Sequence, residues 1–346
     1  MSERGRTEPR MAAEFKSVPD LIRQQAEPLG GVIAELVAAL ARRPPGLVVT
    51  CARGSSAHAA TFAKHLIERH LGLPVAAAAP NIATIYGRKL KLDGQLFLAI
   101  SQSGRSDDLI ECAGMAKAAG ALTAALVNDT ASPLAAACRF VLPMAAGPEL
   151  SVAATKSFIA SLAALLRLTA AWTGDEAMRG ALVRLPDRLA IATLLDWGAA
   201  AGALRAAASL VTIGRGPTLA IAREAALKLK ETCNLHAEAF SGAEFLHGPV
   251  ALVESAYPVL VFPPTDAAAA GLRELADSLR RKGASVFTAE AGDPAPGRLP
   301  ALKPDHPETD AICLIQSFYA LVLQLAAQRG IDADLPRHLR KVTRTR

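Results

Sequence analysis

Two segments of this chain, about 160 residues apart, follow one plan: an apolar run, a turn that contains glycine, and then a helical pattern. The first reads GLVVTCARGSSAHAATFAKHLIE and the second reads SLVTIGRGPTLAIAREAALKLKE. Further apolar runs follow each of them: LFLAIS (96–101), ALTAALVN (121–128), YPVLVFP (257–263) and ASVFTAE (284–290). Strands that alternate with helices predict βαβ units and a parallel sheet in each half, and near-continuous apolar strands fit sheets covered on both faces.

The chain is therefore predicted to be an α/β protein with two similar, doubly wound parallel sheets and flanking helices. Its 346 residues are enough for two domains, each with its own core. We place an N-terminal lead-in at 1–30, a first domain at 31–175, a second domain at 195–330 and a C-terminal tail at 331–346. The segment TGDEAMRGALVRLPDRL (173–189) is expected to be a polar connector.

The composition is apolar, with 51% hydrophobic and 20% charged residues, but it does not predict a membrane protein. The run that comes closest to a membrane span, SFIASLAALLRLTAAW (157–172), is interrupted by Arg167, which is typical of a buried core helix. The N-terminal segment MSERGRTEPR lacks the apolar stretch of a signal peptide. We therefore expect a cytoplasmic protein.

The sulfur-containing and ionisable residues show no metal or nucleic-acid signature. The five cysteines are scattered without a CxxC spacing, which predicts reduced and mostly packed thiols. His58 and His65 fit one helix face, but no acidic ligand completes a set, so both are expected at the surface. The net charge of +6 lies partly at the two chain ends, and no nucleic-acid-binding pattern accompanies it. We predict no metal, no organic cofactor, no nucleic-acid partner and no membrane.

The segment SQSGRSDD (101–108) lies where the strand LFLAIS turns into the helical pattern LIECAGMAKAAG. Its neutral hydrogen-bonding side chains are Ser101, Gln102, Ser103 and Ser106. A helix N-terminus favours an anion, and many short neutral donors suit a sugar phosphate. A helix cap needs only one such residue, so the cluster favours phosphate binding over simple capping by Ser106 or Asp107. CARGSS (51–56) is a second turn of the same type and a weaker signal.

The segment EAALKLKETCNLHAEAFSGAEFLHGP (224–249) concentrates ionisable groups in an otherwise apolar chain. Glu224, Lys228 and Glu231 share one helix face, because they stand at i, i+4 and i+7. Both an exposed ladder of ion pairs and a buried acid–base set fit this spacing. The neighbouring residues are mostly Ala and Leu, and His247 follows in a turn from which it can project into a cleft. Carboxylates near a histidine suit proton transfer, but the spacing alone leaves the two interpretations balanced.

Six blocks of the sequence, taken in order, resemble the sugar isomerase (SIS) family, and in particular the isomerase half of the glutamine–fructose-6-phosphate aminotransferases. The blocks are GSSAHA, SQSGRSDD, PELSVAATKSF, GRGPTLAIAREAALKLKE, HAEAF–GAEFLHGP and DADLPRHLRK. The resemblance covers residues 11 to 346, because MAAEFKSVPDLIRQQ is similar to the segment that opens that half. It implies two tandem SIS domains and a homodimer with a shared active site.

The resemblance also implies roles for individual residues. Those that match the phosphate- and sugar-binding positions are Ser56, Ser101, Gln102, Ser103, Ser106 and Val152. Glu231 matches the base that moves a proton between C1 and C2, with Lys228 beside it and Glu224 supporting the site. His247 matches a ring-opening residue that the neighbouring subunit supplies, and Lys341 matches a lysine that forms a Schiff base with the open-chain ketose. The basic tail is then expected to act as a catalytic lid.

These matches imply an enzyme that acts on a phosphosugar. No glutaminase-like segment precedes the isomerase-like region in this sequence, and an enzyme that relies on free ammonia would tend to release it. We therefore expect a glucosamine-6-phosphate deaminase that yields fructose 6-phosphate and ammonia. An aminotransferase that uses ammonia or a separate glutaminase subunit is the alternative, and a non-catalytic sugar-phosphate sensor is a second one. Ala57, Arg105, Leu246 and Arg340 depart from the family pattern, so another phosphosugar also stays open.

Overall fold

Two five-stranded parallel sheets form the centres of the two halves in the computed structural model, which describes residues 8–341. The strands of the first sheet are β1 (Val48–Ala52), β2 (Val75–Ala77), β3 (Leu96–Ser101), β4 (Leu122–Val127) and β5 (Phe140–Pro143). Those of the second sheet are β6 (Ser209–Gly214), β7 (His236–Ser241), β8 (Pro258–Phe262), β9 (Ser285–Glu290) and β10 (Arg298–Pro300). The predicted α/β class with two doubly wound sheets is confirmed. The part of the basic tail beyond residue 341 lies outside the described residues.

Helices connect and cover the strands in both halves. The helices of the first half are α1 (Arg10–Lys16), α2 (Val18–Gln24), α3 (Ala26–Arg42), α4 (Gly54–Leu71), α5 (Asn81–Thr84), α6 (Asp107–Ala118), α7 (Pro133–Ala137) and α8 (Lys156–Thr173). Those of the second half are α9 (Glu176–Ala192), α10 (Gly198–Leu204), α11 (Pro217–Cys233), α12 (Gly242–Phe245), α13 (Ala269–Arg281) and α14 (Pro307–Gln328). A short 3-10 helix, Pro249–Leu252, follows α12.

The central strand β3 shows why the strand sequences lack polar residues. All six of its residues are buried, and its side chains alternate between two separate apolar cores. Leu98 belongs to the core that contains Phe62 of α4, whereas Phe97 belongs to the core under Cys112 of α6. Burial of each large apolar side chain contributes about 1.5 to 3 kcal/mol, so a polar residue on either face would destabilise the sheet.

The two sheets have the same topology. The strand order is β2-β1-β3-β4-β5 in the first sheet and β7-β6-β8-β9-β10 in the second. In each, the chain first moves to one side of the opening strand and then returns to the other side. This reversal opens a crevice at the carboxyl ends of β1 and β3, and of β6 and β8, which is where ligands bind in open α/β sheets.

The segment predicted as a polar connector, 173–189, forms most of the helix α9 instead. Asp175 caps this helix by accepting a hydrogen bond from the Met178 backbone N–H at 2.9 Å. Met178, Leu182 and Leu185 are buried, and the helix packs against α2, α8 and α14. Its polar residues occupy only the outer face, which is why the segment resembles a linker in sequence. Helix α3 likewise runs through the boundary predicted at residue 31, and the other boundaries stay predictions.

Helix α14 is the only helix within residues 8–341 that is long and apolar enough to cross a bilayer. The sequence expectation that residues 157–172 come closest to such a span is therefore wrong. Of the most apolar window of α14, 78% is buried inside the protein, where the helix packs against α9, α10 and α11. Its apolar character is explained by this central position.

Helix α4 of the first half packs directly against α11 of the second half. The first turn of α4 follows β1, and α11 follows β6, so each helix begins at the carboxyl edge of its own sheet. The contact brings the serine turn of one half beside the charged helix of the other.

Candidate active site

The loop between β3 and α6 places the serine cluster at the carboxyl edge of the first sheet. Ser101 ends the strand, and its Oγ accepts a hydrogen bond from the Gly104 backbone N–H at 3.1 Å. Gly104 has a φ of +61°, and a Cβ built there would lie 2.1 Å from the Ser132 Oγ. Only glycine fits this turn, which leads the chain directly into the N-terminus of α6.

The turn after β1 brings a second set of hydroxyls to the same edge. Gly54, with a φ of +54°, opens α4, and Ser55 and Ser56 lie in its first turn. Because β1 and β3 are neighbours in the sheet, the N-termini of α4 and α6 converge on one crevice. Two helix N-termini with surrounding hydroxyls form a favourable place for an anion.

A cleft of about 320 Å³ opens at this crevice. All six predicted binding residues line it: Ser56, Ser101, Gln102, Ser103, Ser106 and Val152. Two of the predicted catalytic residues, Glu231 of α11 and Lys341 of the tail, line the same cleft. The structure thus brings residues from both domains and from the C-terminal segment together around one space.

Behind Glu231, helix α11 buries a chain of charged groups. Glu224 and Lys228 have fully buried side chains, and the side chain of Glu231 is 19% exposed. The Lys228 Nζ lies 3.4 Å from the Glu224 Oε1 and donates a hydrogen bond to the Glu231 Oε2. Of the two interpretations left open by the spacing, the exposed ladder of ion pairs is therefore wrong.

Mutual pairing sets the charge of these groups. Burial by itself raises the pKa of Glu224, but the Lys228 ammonium and the hydrogen bonds from His58 and Ser55 outweigh it and lower that pKa below its ordinary value. Burial likewise disfavours the Lys228 ammonium, but Glu224 and Glu231 raise the pKa of Lys228 above its ordinary value. At neutral pH a buried ammonium therefore stands beside the carboxylate that lines the cleft.

Two acceptors hold Lys341 at the cleft. Its Nζ donates hydrogen bonds to the Glu149 Oε2 at 3.0 Å and to the Ser151 backbone oxygen at 2.7 Å. Glu149 is buried and also accepts hydrogen bonds from Thr155 and Ser157. Burial alone would raise the pKa of Glu149, but Lys341 and these hydrogen bonds lower it. The charged Glu149 carboxylate therefore holds the Lys341 side chain at the cleft.

The lead-in helix α1 supports both the loop and the tail. Its Glu14 is buried and accepts hydrogen bonds from the Leu150 backbone N–H and the Ser151 hydroxyl. In the tail, Asp334 accepts hydrogen bonds from the backbone N–H groups of Arg10 at 2.7 Å and Met11 at 3.0 Å, at the start of α1. The predicted site residues include neither Glu14 nor Glu149, although the block PELSVAATKSF contains Glu149.

Positive charge lies at the rim of the cleft. Arg53 and Arg340 both line it, and Arg53 pairs with the buried Asp108 at 2.9 Å. Sequence reasoning missed Arg53, whose signal is its position directly before the Gly-Ser-Ser turn. Arg105, another departure from the family pattern, pairs with Asp129 at 2.9 Å and is not among the lining residues.

A sequence profile of the SIS domain matches residues 45–171 and 203–328, which together make up more than half of the chain. The chain belongs to the SIS family. Each matched segment contains one of the two parallel sheets, so the two tandem SIS domains implied by the resemblance are present.

Named relatives of this SIS chain include sugar-phosphate enzymes. The glutamine–fructose-6-phosphate aminotransferase of Aeropyrum pernix is 33% identical over 353 aligned positions, which cover 94% of this chain and 56% of the relative. The chain thus spans about half the length of the curated relatives it matches. A solved structure described as a phosphosugar isomerase from Silicibacter pomeroyi is 46% identical, with a TM-score of 0.90 over 94% of this chain and all of that one.

A glucosamine-6-phosphate deaminase from Thermotoga maritima shares the fold. Its TM-score is 0.76 at 21% identity, and the match covers 97% of this chain and all of the deaminase. The sequence profile therefore shows the SIS family, and the similarity to the deaminase shows a shared fold.

His247 is the one predicted catalytic residue that lies away from the cleft and from the buried charges behind it. It is exposed in the turn between α12 and the 3-10 helix, beside Gly248 with its φ of +130°. The resemblance predicts that the neighbouring subunit supplies this histidine, and that role stays a prediction.

The expectation of a surface position is wrong for both His58 and His65, because the side chain of His65 is only 18% exposed and that of His58 is similarly covered. The side chain of His58 is 20% exposed, and its Nδ1 lies 2.8 Å from the Oε2 of the fully buried Glu224. No sequence spacing could show this contact, because the two residues are 166 positions apart.

All five cysteines are free and buried. No group of three or more His, Cys, Asp or Glu side chains within residues 8–341 is arranged to hold a metal ion.

Proposed function

We propose that this SIS protein converts glucosamine 6-phosphate and water to fructose 6-phosphate and ammonia. The observation that carries the proposal is the single cleft that combines hydroxyls at two helix N-termini with the Glu231 carboxylate and the Lys341 amine. The reaction requires an anion site, a base that reaches two adjacent carbons and an amine that exchanges with the amino group of the substrate. Each of these functions has a candidate group in the cleft.

In this proposal the phosphate binds at the two serine turns. The backbone N–H groups at the starts of α4 and α6 and the hydroxyls of Ser56, Ser103 and Ser106 supply neutral donors. Arg53 and Arg340 at the rim add long-range attraction for the dianion. Binding at one end of the cleft fixes the sugar chain relative to α11, on which the carboxylate stands.

Glu231 then moves a proton between neighbouring carbons of the open-chain sugar. The aldehyde at C1 acidifies the proton on C2, which the Glu231 carboxylate removes and returns to C1. A second proton passes from the amino nitrogen to the C1 oxygen, so the product is the C2 imine of fructose 6-phosphate. The Lys228 ammonium, hydrogen-bonded to Glu231, holds the carboxylate in position and stabilises its charge.

Lys341 releases the ammonia in the last steps. The Lys341 ammonium first gives a proton to the imine nitrogen, and its neutral amine then attacks C2. The carbon–nitrogen bond to the substrate amino group breaks, and ammonia departs with a second proton from the lysine nitrogen. Water hydrolyses the resulting Lys341 imine to fructose 6-phosphate and the free amine. One water is consumed and one ammonia is released in each cycle, and Glu149 and Ser151 keep the amine in place between cycles.

The second candidate function is the same reaction in the opposite direction. Dilute ammonia favours release by mass action, which supports the deaminase. The aminotransferases among the relatives support the reverse reaction, in which fructose 6-phosphate accepts ammonia supplied by a separate glutaminase. Both candidates use the same groups of the cleft, so only turnover measurements separate them.

The first experiment is to incubate the purified protein with glucosamine 6-phosphate and to quantify ammonia and fructose 6-phosphate together. Release of both in equal amounts is the expected result. Glu231→Gln and Lys341→Ala proteins are matched controls, because they keep the serine turns and are expected to bind the sugar phosphate without turnover. If the wild-type protein releases neither product, the deaminase proposal fails.

The second experiment offers fructose 6-phosphate with ammonia or with glutamine and measures the amino sugar formed. Amino sugar formation without any release in the first experiment would establish the aminotransferase. If calorimetry detects binding of a sugar phosphate and neither direction shows turnover, the protein is a sensor or acts on another phosphosugar.

A further inference from the structure

A second cleft lies between α4 and α11. It is separate from the cleft that contains the two serine turns, which we call the sugar cleft. Its volume is about 360 Å³, and its polar lining residues are His58, Thr61, Arg223, Lys230 and Glu238. None of these residues lines the first cleft. The buried pair Glu224–Lys228 therefore connects two spaces, with Glu231 in the sugar cleft at one end and His58 in the second cleft at the other.

His58 is the donor and Glu224 the acceptor of the hydrogen bond between them. An ionised carboxylate only accepts, so the proton is on the His58 Nδ1, which donates to the Glu224 Oε2 at 2.8 Å. The Ser55 hydroxyl donates to the other oxygen at 2.9 Å. Within residues 8–341, His58 is the only hydrogen-bond donor to the Oε2 of this fully buried side chain.

We infer that His58 is a positioning residue for the reaction. By donating a hydrogen bond to Glu224, His58 allows the Lys228 ammonium to keep its hydrogen bond to Glu231, the carboxylate that moves the substrate proton. This role rests on the proposed function. His58 acts through two other side chains and has no contact with the sugar cleft.

His58 can influence Glu231 because a single ammonium, that of Lys228, interacts with both the Glu224 and the Glu231 carboxylates. The Lys228 Nζ is hydrogen-bonded to Glu231 and lies 3.4 Å from Glu224. Without the His58 donor, the buried Glu224 carboxylate attracts this ammonium more strongly or takes up a proton itself. Either change alters the charge that stands beside Glu231, although no group in the sugar cleft has been replaced.

Further ionisable groups face this network and stay the same in the variants below. Arg223, Lys230 and Glu238 line the second cleft with His58, and Glu149 acts on Lys228 from the loop before α8. The Tyr319 hydroxyl of α14 stays neutral, because burial and then the nearby carboxylates, Glu224 first among them, raise its pKa well above the ordinary value.

The first test follows the ionisation of Glu224 without any substrate. Glutamate labelled with ¹³C at the carboxyl group is titrated by NMR, and the Glu224 signal is assigned with the Glu224→Gln protein. We expect its midpoint to rise by about one pH unit in His58→Leu and by much less in His58→Asn, whose amide keeps a donor near the position of Nδ1. His70→Asn is the matched control, because His70 also lies on α4 and contacts a buried carboxylate, Glu308, at 2.9 Å. An unchanged midpoint in His58→Leu would overturn the inference.

The second test measures turnover against pH with the same proteins. We expect kcat of His58→Leu to fall about tenfold with KM changed less than twofold, and the acidic limb of kcat/KM to move to higher pH. His58→Asn should restore most of the rate, and His70→Asn should match the wild type. A shifted Glu224 titration with an unshifted pH profile would refute the positioning role. Absence of turnover in the wild-type protein would refute the proposed function, while the titration would still decide whether His58 controls Glu224.

Discussion

The two sheets differ in the turn that follows their opening strand. In the first sheet, the turn after β1 places Ser55 and Ser56 beside a cleft. In the second sheet, the matching turn after β6 is hydrogen-bonded to the neighbouring strand β8. There the Thr218 hydroxyl donates to the Phe262 backbone oxygen, at the end of β8, at 2.6 Å. A Cβ at Gly214 would lie 2.2 Å from the Thr218 backbone oxygen, so the turn packs directly on its own helix.

The end of α4 fills the remaining space beside this second turn. The His65 ring lies 3.3 Å from a Cβ built at Gly216, and Arg69 pairs with Asp266 in the loop after β8. The same topology has thus produced two different crevices. In the first, the hydroxyls line a cleft; in the second, the Thr218 hydroxyl is hydrogen-bonded within the protein. The strand order provides the place for a ligand, and the side chains decide whether the place stays open.

The largest expected effect is on the chemistry in the open crevice. Glu231→Gln and Lys341→Ala should each lower kcat by about 10²- to 10⁴-fold, because the base or the amine is missing, while binding of the sugar phosphate stays within a few-fold of wild type. Steady-state kinetics and calorimetry check the two parts. Retention of more than a tenth of the wild-type rate in either variant would contradict the roles proposed for these residues.

A mixing experiment tests whether a second copy completes the open crevice. His247→Ala and Lys341→Ala proteins should each be inactive alone. If His247 is supplied by the partner, random exchange of subunits gives about half mixed dimers with one intact site each, and activity recovers to about a quarter of wild type. Recovery is followed after the two proteins are mixed and allowed to exchange subunits. No recovery, with exchange demonstrated by mass spectrometry, would place His247 outside the neighbouring site.

Removing hydroxyls from the two crevices should have opposite consequences. Ser103→Ala combined with Ser106→Ala should raise KM about tenfold or more, because hydrogen bonds to a charged phosphate are lost, and should leave the free energy of unfolding nearly unchanged. Thr218→Ala should lower the free energy of unfolding by about 1 to 2 kcal/mol and leave KM unchanged. Urea unfolding and initial rates measured on both proteins decide the comparison. A larger KM effect for Thr218→Ala would show that the second crevice also binds substrate.

The smallest effect on turnover is expected from Glu308 in the packed crevice, where pH changes stability. Burial alone would raise the pKa of Glu308, but the neighbouring imidazoles of His306, His65 and His70 lower it well below its usual range. The Glu308 carboxylate, whose Oε2 lies 2.9 Å from the His306 Nδ1, raises the pKa of His306 against the opposing effect of burial. The Glu308 contribution to stability is therefore present above its unfolded pKa of about 4.3, and the His306 contribution is present below about 6.5.

It follows that Glu308→Gln should destabilise the protein most between these pH values, by about 1 to 3 kcal/mol. The difference from wild type should start to shrink as pH falls below about 4.3 toward the lowered pKa of Glu308, and as it rises above about 6.5 toward the raised pKa of His306. Urea unfolding at pH 4, 5.5 and 8 measures this dependence. A difference that is equal at all three values would show that the pair does not carry charge in the folded protein.

Local patterns predicted the two serine turns and six of the ten strands described, because each of these depends on residues close in sequence. The run LFLAIS coincides with β3, and the cluster of Ser101 to Ser106 lies where that strand becomes a helix. The resemblance added Lys341, which no pattern of spacing connects with Glu149, 192 positions away. The roles of His58 and Glu149 could not be predicted, because both depend on contacts that exist only after the two halves have packed together.

The hydrogen bonds of α1 make the two ends of the described chain depend on each other. Glu14 holds the loop whose Ser151 carbonyl receives Lys341, and Asp334 of the tail caps the start of the same helix. A shortened protein that begins at residue 31, where the sequence suggests a domain boundary, would lack this support. Truncations, tags and fusions at either end should therefore be treated as changes near Lys341, the lysine proposed to be catalytic, although none of them alters a residue of the cleft.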